Sequence, residues 1–486
     1  MKPDINDFNE LLNEYNLIPF WDEISCDLDT PISLYNKVCK DEKYCFLLES
    51  LEGGEKWGRY SIIGLKPLMV FGCKGKEVFI KTKGLDVKEV VNDPLEKFKE
   101  ILKGFKMPAQ NDIPRFFGGA VGFLGYDMVR FMEKLPNKLN DDMGFNDAHF
   151  IIPEIVLVHD NLKHSLQLIT FVARDLSHKD ENLYKKALNN LNDIKETIFK
   201  GIDYIKTTTS QKTELLPEVS QEKFEKMVTD AKEYILAGDL IQVVLSQRFS
   251  GINLAPAFDI YRSLRTINPS PYLYFLKFDD ETIIGSSPEI LVRLTGNVIE
   301  LRPIAGTRKR GITSEEDKAL EKDLLSDIKE RAEHVMLVDL GRNDAGRVAK
   351  SGTVRVEDLM CVERYSHVMH IVSGVKAELL EGKDMFDVLR ACFPAGTVSG
   401  APKIRAMEII EELEHSRRGP YAGSVGYFGF TGNMDMAITI RTLFQKGEKL
   451  YLQAGAGIVA DSVPEKEWEE TINKGMALMK ALERVG

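Results

Sequence analysis

GGAVGFLGYD (Gly118–Asp127) and GSVGYFGFTGNMD (Gly423–Asp435) are two versions of one segment, rich in Gly and aromatics, that reads as a strand running into a turn. Two copies do not make a solenoid, which needs a recurring unit. They read as two related sheet edges inside one body. Working outward, FLLES (Phe46–Ser50), RYSIIG (Arg59–Gly64) and LMVFGC (Leu68–Cys73) read as short strands broken by Gly and Lys. PLEKFKEILKGF (Pro94–Phe105) reads as a helix with Pro at its start. IIPEIVLVHD (Ile151–Asp160) and LQLITFVARD (Leu166–Asp175) read as a strand pair, and ENLYKKALNNLNDIKETIF (Glu181–Phe199) as an amphipathic helix. TTTSQKTELLPEVS (Thr207–Ser220) is Thr/Ser-rich, carries a Pro and lacks an apolar period, so it reads as a linker between residues 1–206 and 221–486. Beyond it, SQEKFEKMVTDAKEYILAGD opens with Ser220 as a capping residue and runs as a helix.

A chain of 486 residues exceeds one small core and implies two or three domains or one large interwoven α/β body. At 43% hydrophobic and 29% charged it has a globular composition, with no disorder signature. The net charge of −11 and the scattered basic residues speak against a nucleic-acid groove. No apolar run approaches the roughly 18 residues of a membrane span. The start, MKPDINDFNELLNEYN, has neither secretory-signal nor transit-peptide character, so a cytoplasmic location is expected. Cys26, Cys39, Cys45, Cys73, Cys361 and Cys392 show no C-x-x-C spacing and read as reduced thiols.

Several residues in the second half carry possible chemistry. DLLSDIKERAEHVMLVDLGRND (Asp323–Asp344) is helical in pattern, with Glu330 and Glu333 on one face. DSVPEKEWEETINKG (Asp461–Gly475) repeats this with Glu467 and Glu470. Such pairs are ordinarily solvated helix surface; their functional reading is a Mg²⁺ site, since Mg²⁺ takes one or two carboxylates and completes its octahedron with water and substrate oxygens. Arg441 interrupts an apolar strand pattern, AITIRTLF, so it must be paired or bind an anion. IAGTR (Ile304–Arg308) and GAGIV (Gly455–Val459) are turns where Gly lets backbone N–H groups approach a ligand. His367 and His370 lie in an apolar run, where a histidine is more often a hydrogen-bonded core residue than a catalyst. Phosphate-loop, nucleophile-elbow and zinc-protease motifs are missing, and no Cys lies in a Gly-flanked nucleophile turn, so glutamine hydrolysis by this chain is not expected.

Together these strings resemble the chorismate-utilising enzymes, a family that includes anthranilate synthase component I, aminodeoxychorismate synthase component I, isochorismate synthase and salicylate synthase. The resemblance covers nearly the whole chain and is strongest from Gly238 to Lys474, through IQVVLSQRF, NPSPYLYF, GSSPEILV, RPIAGTRKRG, DIKERAEHVMLVDLGRND, VERYSHVMHIVSG, FPAGTVSGAPK, RGPYAGSVGYFG, ITIRT, QAGAGIVADS and PEKEWEETINK. It implies an α/β fold, a two-sheet β-sandwich flanked by helices, with the N-terminal part interwoven with the catalytic part. It implies Mg²⁺ at Glu333 and Glu470, with Glu330 and Glu467 ordering waters and the ring behind them. Arg441 and Tyr421 would hold the enolpyruvyl carboxylate of chorismate, because an Arg fork matches two oxygens. Gly306, Thr307, Thr397, Gly455, Ala456 and Gly457 would complete the substrate site. Glu289 would be the acid for the departing hydroxyl, and His370 would serve pyruvate elimination.

Two positions choose within the family. Water-adding members carry a Lys base where this chain has Gln242, and aminodeoxychorismate synthases typically carry a Lys where it has Ala305. The resemblance therefore points to the anthranilate synthase branch: chorismate and ammonia in, anthranilate and pyruvate out. Ammonia would come from a separate glutamine amidotransferase subunit, component II, in a heterotetramer. LLES with GRYSIIG resembles the element that binds L-tryptophan as feedback inhibitor, with Ser50, Pro271, Tyr272 and Leu273 as contacts. The alternatives are aminodeoxychorismate synthase, an isochorismate-type enzyme using water, and a non-catalytic chorismate or tryptophan sensor.

Overall fold

The computed structural model describes residues 2–50, 58–108, 116–174, 182–201, 213–365 and 368–485. His367 and residues 207–212 of the linker segment fall outside them. The two echoed segments are direct neighbours. Gly119–Leu124 pairs antiparallel with Ser424–Gly429, with Phe123 opposite Val425 and Gly122 opposite Gly426. A Cβ at Gly426, whose φ is +158°, would lie 2.0 Å from the Asp435 carbonyl oxygen. The small residues of the repeat therefore serve close strand packing.

Two antiparallel sheets extend from this region, joined through the long strands Tyr60–Lys74 and Ala148–Asp160. One half of Ala148–Asp160 pairs with Gly119–Leu124 and the other with Ser165–Ala173. In one sheet Tyr60–Lys74 continues to Tyr44–Glu49, Tyr272–Phe278, Glu281–Ser287, Thr442–Lys446, Lys449–Ile458 and Gln242–Ile252. In the other, Ser424–Gly429 continues to Met434–Ile438, Ile290–Thr295, Val298–Leu301 and Val368–Glu378. Tyr44–Glu49 lies directly against Tyr272–Phe278, so the N-terminal and C-terminal parts share one hydrogen-bonded ladder. This is the expected interwoven two-sheet α/β fold.

Helices cover the sheets. Pro94–Gly104 starts with Pro and is capped by Asp93, which accepts from Leu95 and Glu96 N–H. Its Phe98 stacks on Phe71 and Phe150, both at 4.6 Å, and meets Phe386 and Phe428 edge-on. One buried ring thus ties the helix to both halves of the chain. Ser220 caps Gln221–Leu236 by accepting from Lys223 N–H.

Three local readings change. The two strands expected at Arg59–Gly64 and Leu68–Cys73 are one strand, Tyr60–Lys74. Lys66 takes a left-handed φ of +50° and the register shifts between Pro67 and Met69, so the strand bends without leaving its ladder. The helix expected over Asp323–Asp344 is two, Ser314–Ser326 and Ile328–Gly346. Asp327 breaks it by accepting from Lys329 and Glu330 N–H, a cap that competes with helix continuation. Arg441 is not inside a strand. It sits between Met434–Ile438 and Thr442–Lys446 at φ +52°, where the chain passes from one sheet to the other.

Candidate active site

A cleft of about 880 Å³ opens between the sheets and the helices Ile328–Gly346 and Pro464–Glu483. Its floor is the ladder between Gln242–Ile252 and Lys449–Ile458, in which Val244 faces Gly457 and Ser246 faces Gly455. A Cβ at Gly457 would lie 2.5 Å from Gln242 Nε2, and one at Gly455 2.8 Å from Tyr421 Oη. Glycine there leaves room for the neighbouring polar groups to face the cleft. Gly455 and Gly457 line the opening, while Ala456 between them is fully buried in the apolar cluster beneath, as strand alternation requires.

The acidic wall comes from two helices. Glu330 and Glu333 project from one and Glu467 and Glu470 from the other, and all four line the cleft. Lys474 sits among them. Its Nζ donates to the Gly455 carbonyl at 2.9 Å and pairs with Glu470 at 2.7 Å. Gln242 Nε2 donates to Glu333 at 3.4 Å, and Arg308 Nη1 pairs with Glu330 at 3.1 Å. Burial raises the Glu333 pKa, and the nearby Glu330 and Glu470 carboxylates add to the rise. Burial raises Glu467 likewise. No group of three or more His, Cys, Asp or Glu placed to hold a metal ion by themselves occurs among the described residues. Carboxylates that repel one another in a cleft fit a hard cation needing only one or two protein ligands.

Glu289 lines the same cleft, just before the strand Ile290–Thr295. Burial pushes its pKa up to about 7, against the opposing pull of the Thr397 hydroxyl and the Lys474 ammonium. A carboxyl poised there is protonated often enough to act as an acid and returns readily to the anion. His370 lies on the strand Val368–Glu378. Its Nδ1 faces the Gly306 carbonyl at 3.0 Å and the Thr307 hydroxyl at 3.1 Å. The carbonyl assigns the proton to Nδ1, leaving Nε2 as a free base. Burial lowers the His370 pKa, which keeps the ring neutral. Arg441 donates from Nη1 to the Lys474 carbonyl at 2.6 Å, a neutral partner rather than a carboxylate. Burial lowers its pKa and raises that of Tyr421 to about 12, so the site presents a cation beside a phenol that keeps its proton.

A chorismate binding enzyme family model matches residues 43–480. The chain belongs to the chorismate-binding enzymes. It is 51% identical to anthranilate synthase component 1 of Acetivibrio thermocellus, over 100% of this chain and 99% of that one. It is 50% identical to the protein of the same name from Aquifex aeolicus, over 99% and 97%. Among solved structures, anthranilate synthase component I from Streptococcus pneumoniae superposes with a TM-score of 0.79 at 39% identity, covering 94% of this chain and 99% of that chain. The menaquinone-specific isochorismate synthase of Escherichia coli gives 0.71 at 19% identity over 98% of each chain, which speaks to the fold alone.

In this chorismate-binding enzyme a second cavity, of about 430 Å³, lies away from the cleft and brings together Ser50, Pro271, Tyr272 and Leu273. Sequence reasoning missed its remaining walls. Arg293 donates from Nε to Asp435 at 2.8 Å and from Nη2 to the Tyr272 hydroxyl at 3.0 Å, and Tyr272 in turn donates to Asp435 at 2.9 Å. Glu49, beside Ser50, accepts from Tyr261 at 2.6 Å and from Arg265 at 2.9 Å. Val425 and Tyr427, from the repeated segment that opened the sequence reading, also line it. In the cleft, the missed residue is Lys474; its position four after Glu470 was the available signal. No helix among the described residues is long and apolar enough to cross a membrane.

Proposed function

We propose that this chain converts chorismate and ammonia to anthranilate and pyruvate, as the large subunit of an anthranilate synthase in the cytoplasm. The observation that carries the reading is the make-up of the cleft lining. Gln242 and Ala305 line the same cleft as Glu289 and His370, so neither position that carries a Lys in the neighbouring branches has one here. The names of the half-identical relatives support the same reading.

Mg²⁺ held by Glu333 and Glu470 would supply a Lewis-acidic charge that offsets the ring carboxylate of chorismate. Glu330 and Glu467 would stand behind them and help to order the ion's surroundings. The Arg441 fork and the Tyr421 hydroxyl hold the enolpyruvyl carboxylate, with Gly306, Thr307, Thr397, Gly455 and Gly457 shaping the space around the ring. Ammonia adds at carbon 2 through its own lone pair, so the Gln242 amide need not act as a base. As the carbon 4–oxygen bond breaks, Glu289 gives its proton to the departing hydroxyl, which leaves as water. His370 Nε2 then takes the proton from carbon 2 while the bond from carbon 3 to the enolpyruvyl oxygen breaks. The ring becomes aromatic, and protonation of the enolpyruvyl methylene gives pyruvate.

Ammonia arrives from a glutamine amidotransferase subunit in a heterotetramer; "component 1" in the relatives' names supports a second component. Residues 1–206 carry the regulatory part, 207–220 the linker and 221–486 the catalytic part. Tryptophan binds the second cavity and inhibits. The test is to incubate the purified chain with chorismate, Mg²⁺ and ammonium at mildly alkaline pH, with and without tryptophan, and follow anthranilate fluorescence and pyruvate. Anthranilate that requires Mg²⁺ and falls with tryptophan supports the enzyme class, the metal and the regulation together. Chorismate consumption without pyruvate would replace it with aminodeoxychorismate synthesis.

A further inference from the structure

Behind Tyr421 lies a buried charge that the proposed reaction does not use. Arg418 comes three residues earlier in the chain, and the Tyr421 N–H donates to its carbonyl at 3.2 Å. The Arg418 side chain keeps 1% of its surface open and that of its partner, Glu414, keeps 3%. Nε donates to one Glu414 oxygen at 2.9 Å and Nη2 to the other at 2.6 Å, the fork that an Arg offers a carboxylate. Burial works against the charge and the Glu414 carboxylate outweighs it, so Arg418 stays a cation.

Two further bonds reach the walls of the cleft. Nη1 donates to the Val398 carbonyl and Nη2 to the Val244 carbonyl, both at 2.7 Å, and both valines line the cleft. Val244 belongs to the floor strand Gln242–Ile252, whereas Val398 ends the short turn Gly396–Val398, next to Thr397. Glu414 in turn accepts from the Ser246 N–H at 2.8 Å and from the Ser246 hydroxyl at 2.7 Å. The ion pair is thus held to the floor strand at two residues and to the Thr397 turn at a third. With its edge occupied, the guanidinium offers its face to aromatic rings. Its central carbon lies 4.8 Å from the centre of the Tyr126 ring and 5.7 Å from that of Tyr421, within reach of the attraction between a cation and a ring face.

We infer that Arg418 is a positioning residue: anchored by Glu414 and by two carbonyls of the cleft walls, it fixes the ring of Tyr421 and so the place of the hydroxyl that holds the enolpyruvyl carboxylate. This rests on the proposed role of Tyr421. Arg418 acts through that ring and does not itself line the cleft. Chorismate keeps its enolpyruvyl carboxylate from binding until pyruvate leaves. A displaced hydroxyl therefore weakens the bound ground state and the transition state alike, and the loss falls on KM more than on kcat.

The test is a double-mutant cycle of Arg418→Lys and Tyr421→Phe, with kcat, KM for chorismate and melting temperature measured for each chain. Arg418→Lys keeps a cation beside Glu414 and gives up the planar fork, so one nitrogen cannot serve the carboxylate and both carbonyls. It should raise KM about tenfold, the share of one hydrogen bond to a charged group, with a much smaller change in kcat. Tyr421→Phe should raise KM by a similar factor. The two changes together should cost little more than Tyr421→Phe alone, because Arg418 acts through the hydroxyl that Phe lacks. Should Arg418→Lys not fold, Glu414→Gln takes its place in the cycle; it keeps one acceptor oxygen, loosens the anchor and should raise KM in the same direction by less. An ion pair that serves only the core would lower kcat and the melting temperature, and its effect would multiply with that of Tyr421→Phe; that result overturns the inference. So does a wild-type KM in Arg418→Lys. A wild-type KM in Tyr421→Phe removes the substrate role of Tyr421 and the inference with it, whereas independent losses in the cycle refute the positioning role alone.

Discussion

In the cleft, Glu289, Glu333 and Arg441 face the opening with weak or neutral partners, and burial shifts the pKa of each. In the second cavity the charges answer one another: Arg293 with Asp435, and Glu49 with Arg265. The difference separates a site prepared for a charged, reacting ligand from one prepared for binding alone. Buried charges left underpaired cost stability, and an active site retains them because substrate and metal complete the pairing. A cavity whose charges are already satisfied gives up nothing when empty and can act as a sensor.

The largest effect should come from Glu289→Gln, which keeps shape and removes the acid. Anthranilate formation should fall by about 10²–10⁴, read by product fluorescence at saturating chorismate. The same variant should be more stable than wild type at pH 8. With a folded pKa of about 7, above the ordinary 4.5, the Glu289 carboxyl keeps its proton in the native state between those two pH values, where the unfolded chain has already released it, and is ionised in both states at pH 8. Its contribution is therefore complete below about pH 4.5 and is lost as pH rises through 7, leaving a buried carboxylate that Gln does not create. A melting curve showing Glu289→Gln no more stable than wild type at pH 8 would contradict the burial argument.

Next, Glu333→Gln and Glu470→Gln should each cost about 10²–10³ in turnover and weaken activation by Mg²⁺ in a titration. Survival of turnover in both would remove the metal assignment and dissolve the contrast between the two regions. Of similar free-energy size but different kind, Phe98→Ala should cost about 3–5 kcal/mol of stability, measured by denaturant unfolding. It empties the junction between the two halves without touching either cavity.

How much of this was legible depended on range along the chain. The repeated strand-turn segments and the i,i+3 glutamates at 330/333 and 467/470 are local patterns and could be read directly. That the two repeats pair with each other, or that glutamates from distant helices face one cleft, is a tertiary fact; only the family resemblance brought those residues together beforehand. The break at Asp327 and the left-handed Arg441 follow from local chemistry that apolar periodicity overrode, since an Asp cap and a sheet crossing both hide inside a continuous pattern. Arg293, Asp435 and Lys474 stayed invisible because each is an ordinary charged residue until the fold supplies its neighbours.

A smaller effect probes the cleft itself. Thr397→Val removes the hydroxyl that pulls the Glu289 pKa down, so the alkaline limb of kcat/KM for chorismate, taken at constant free ammonia, should move to higher pH. A limb that stays in place would mean that another group titrates in this range.

The smallest effect on turnover, and the sharpest on the comparison, is expected from Ser50→Phe. The new ring enters the second cavity, whose volume of about 430 Å³ is shared among Ser50, Tyr272, Tyr427 and the Arg293–Asp435 pair. The cleft has no residue in common with that cavity, so kcat and KM for chorismate should match wild type. Tryptophan should cease to inhibit and should no longer raise the melting temperature, because a ligand stabilises only the state it can bind. Inhibition that persists would move the tryptophan site to the cleft, where tryptophan would compete with chorismate. Loss of turnover together with inhibition would make the two cavities one functional unit: the short stretch of chain from Arg293 back to Glu289, with three residues between them, would then transmit the state of one region to the acid of the other.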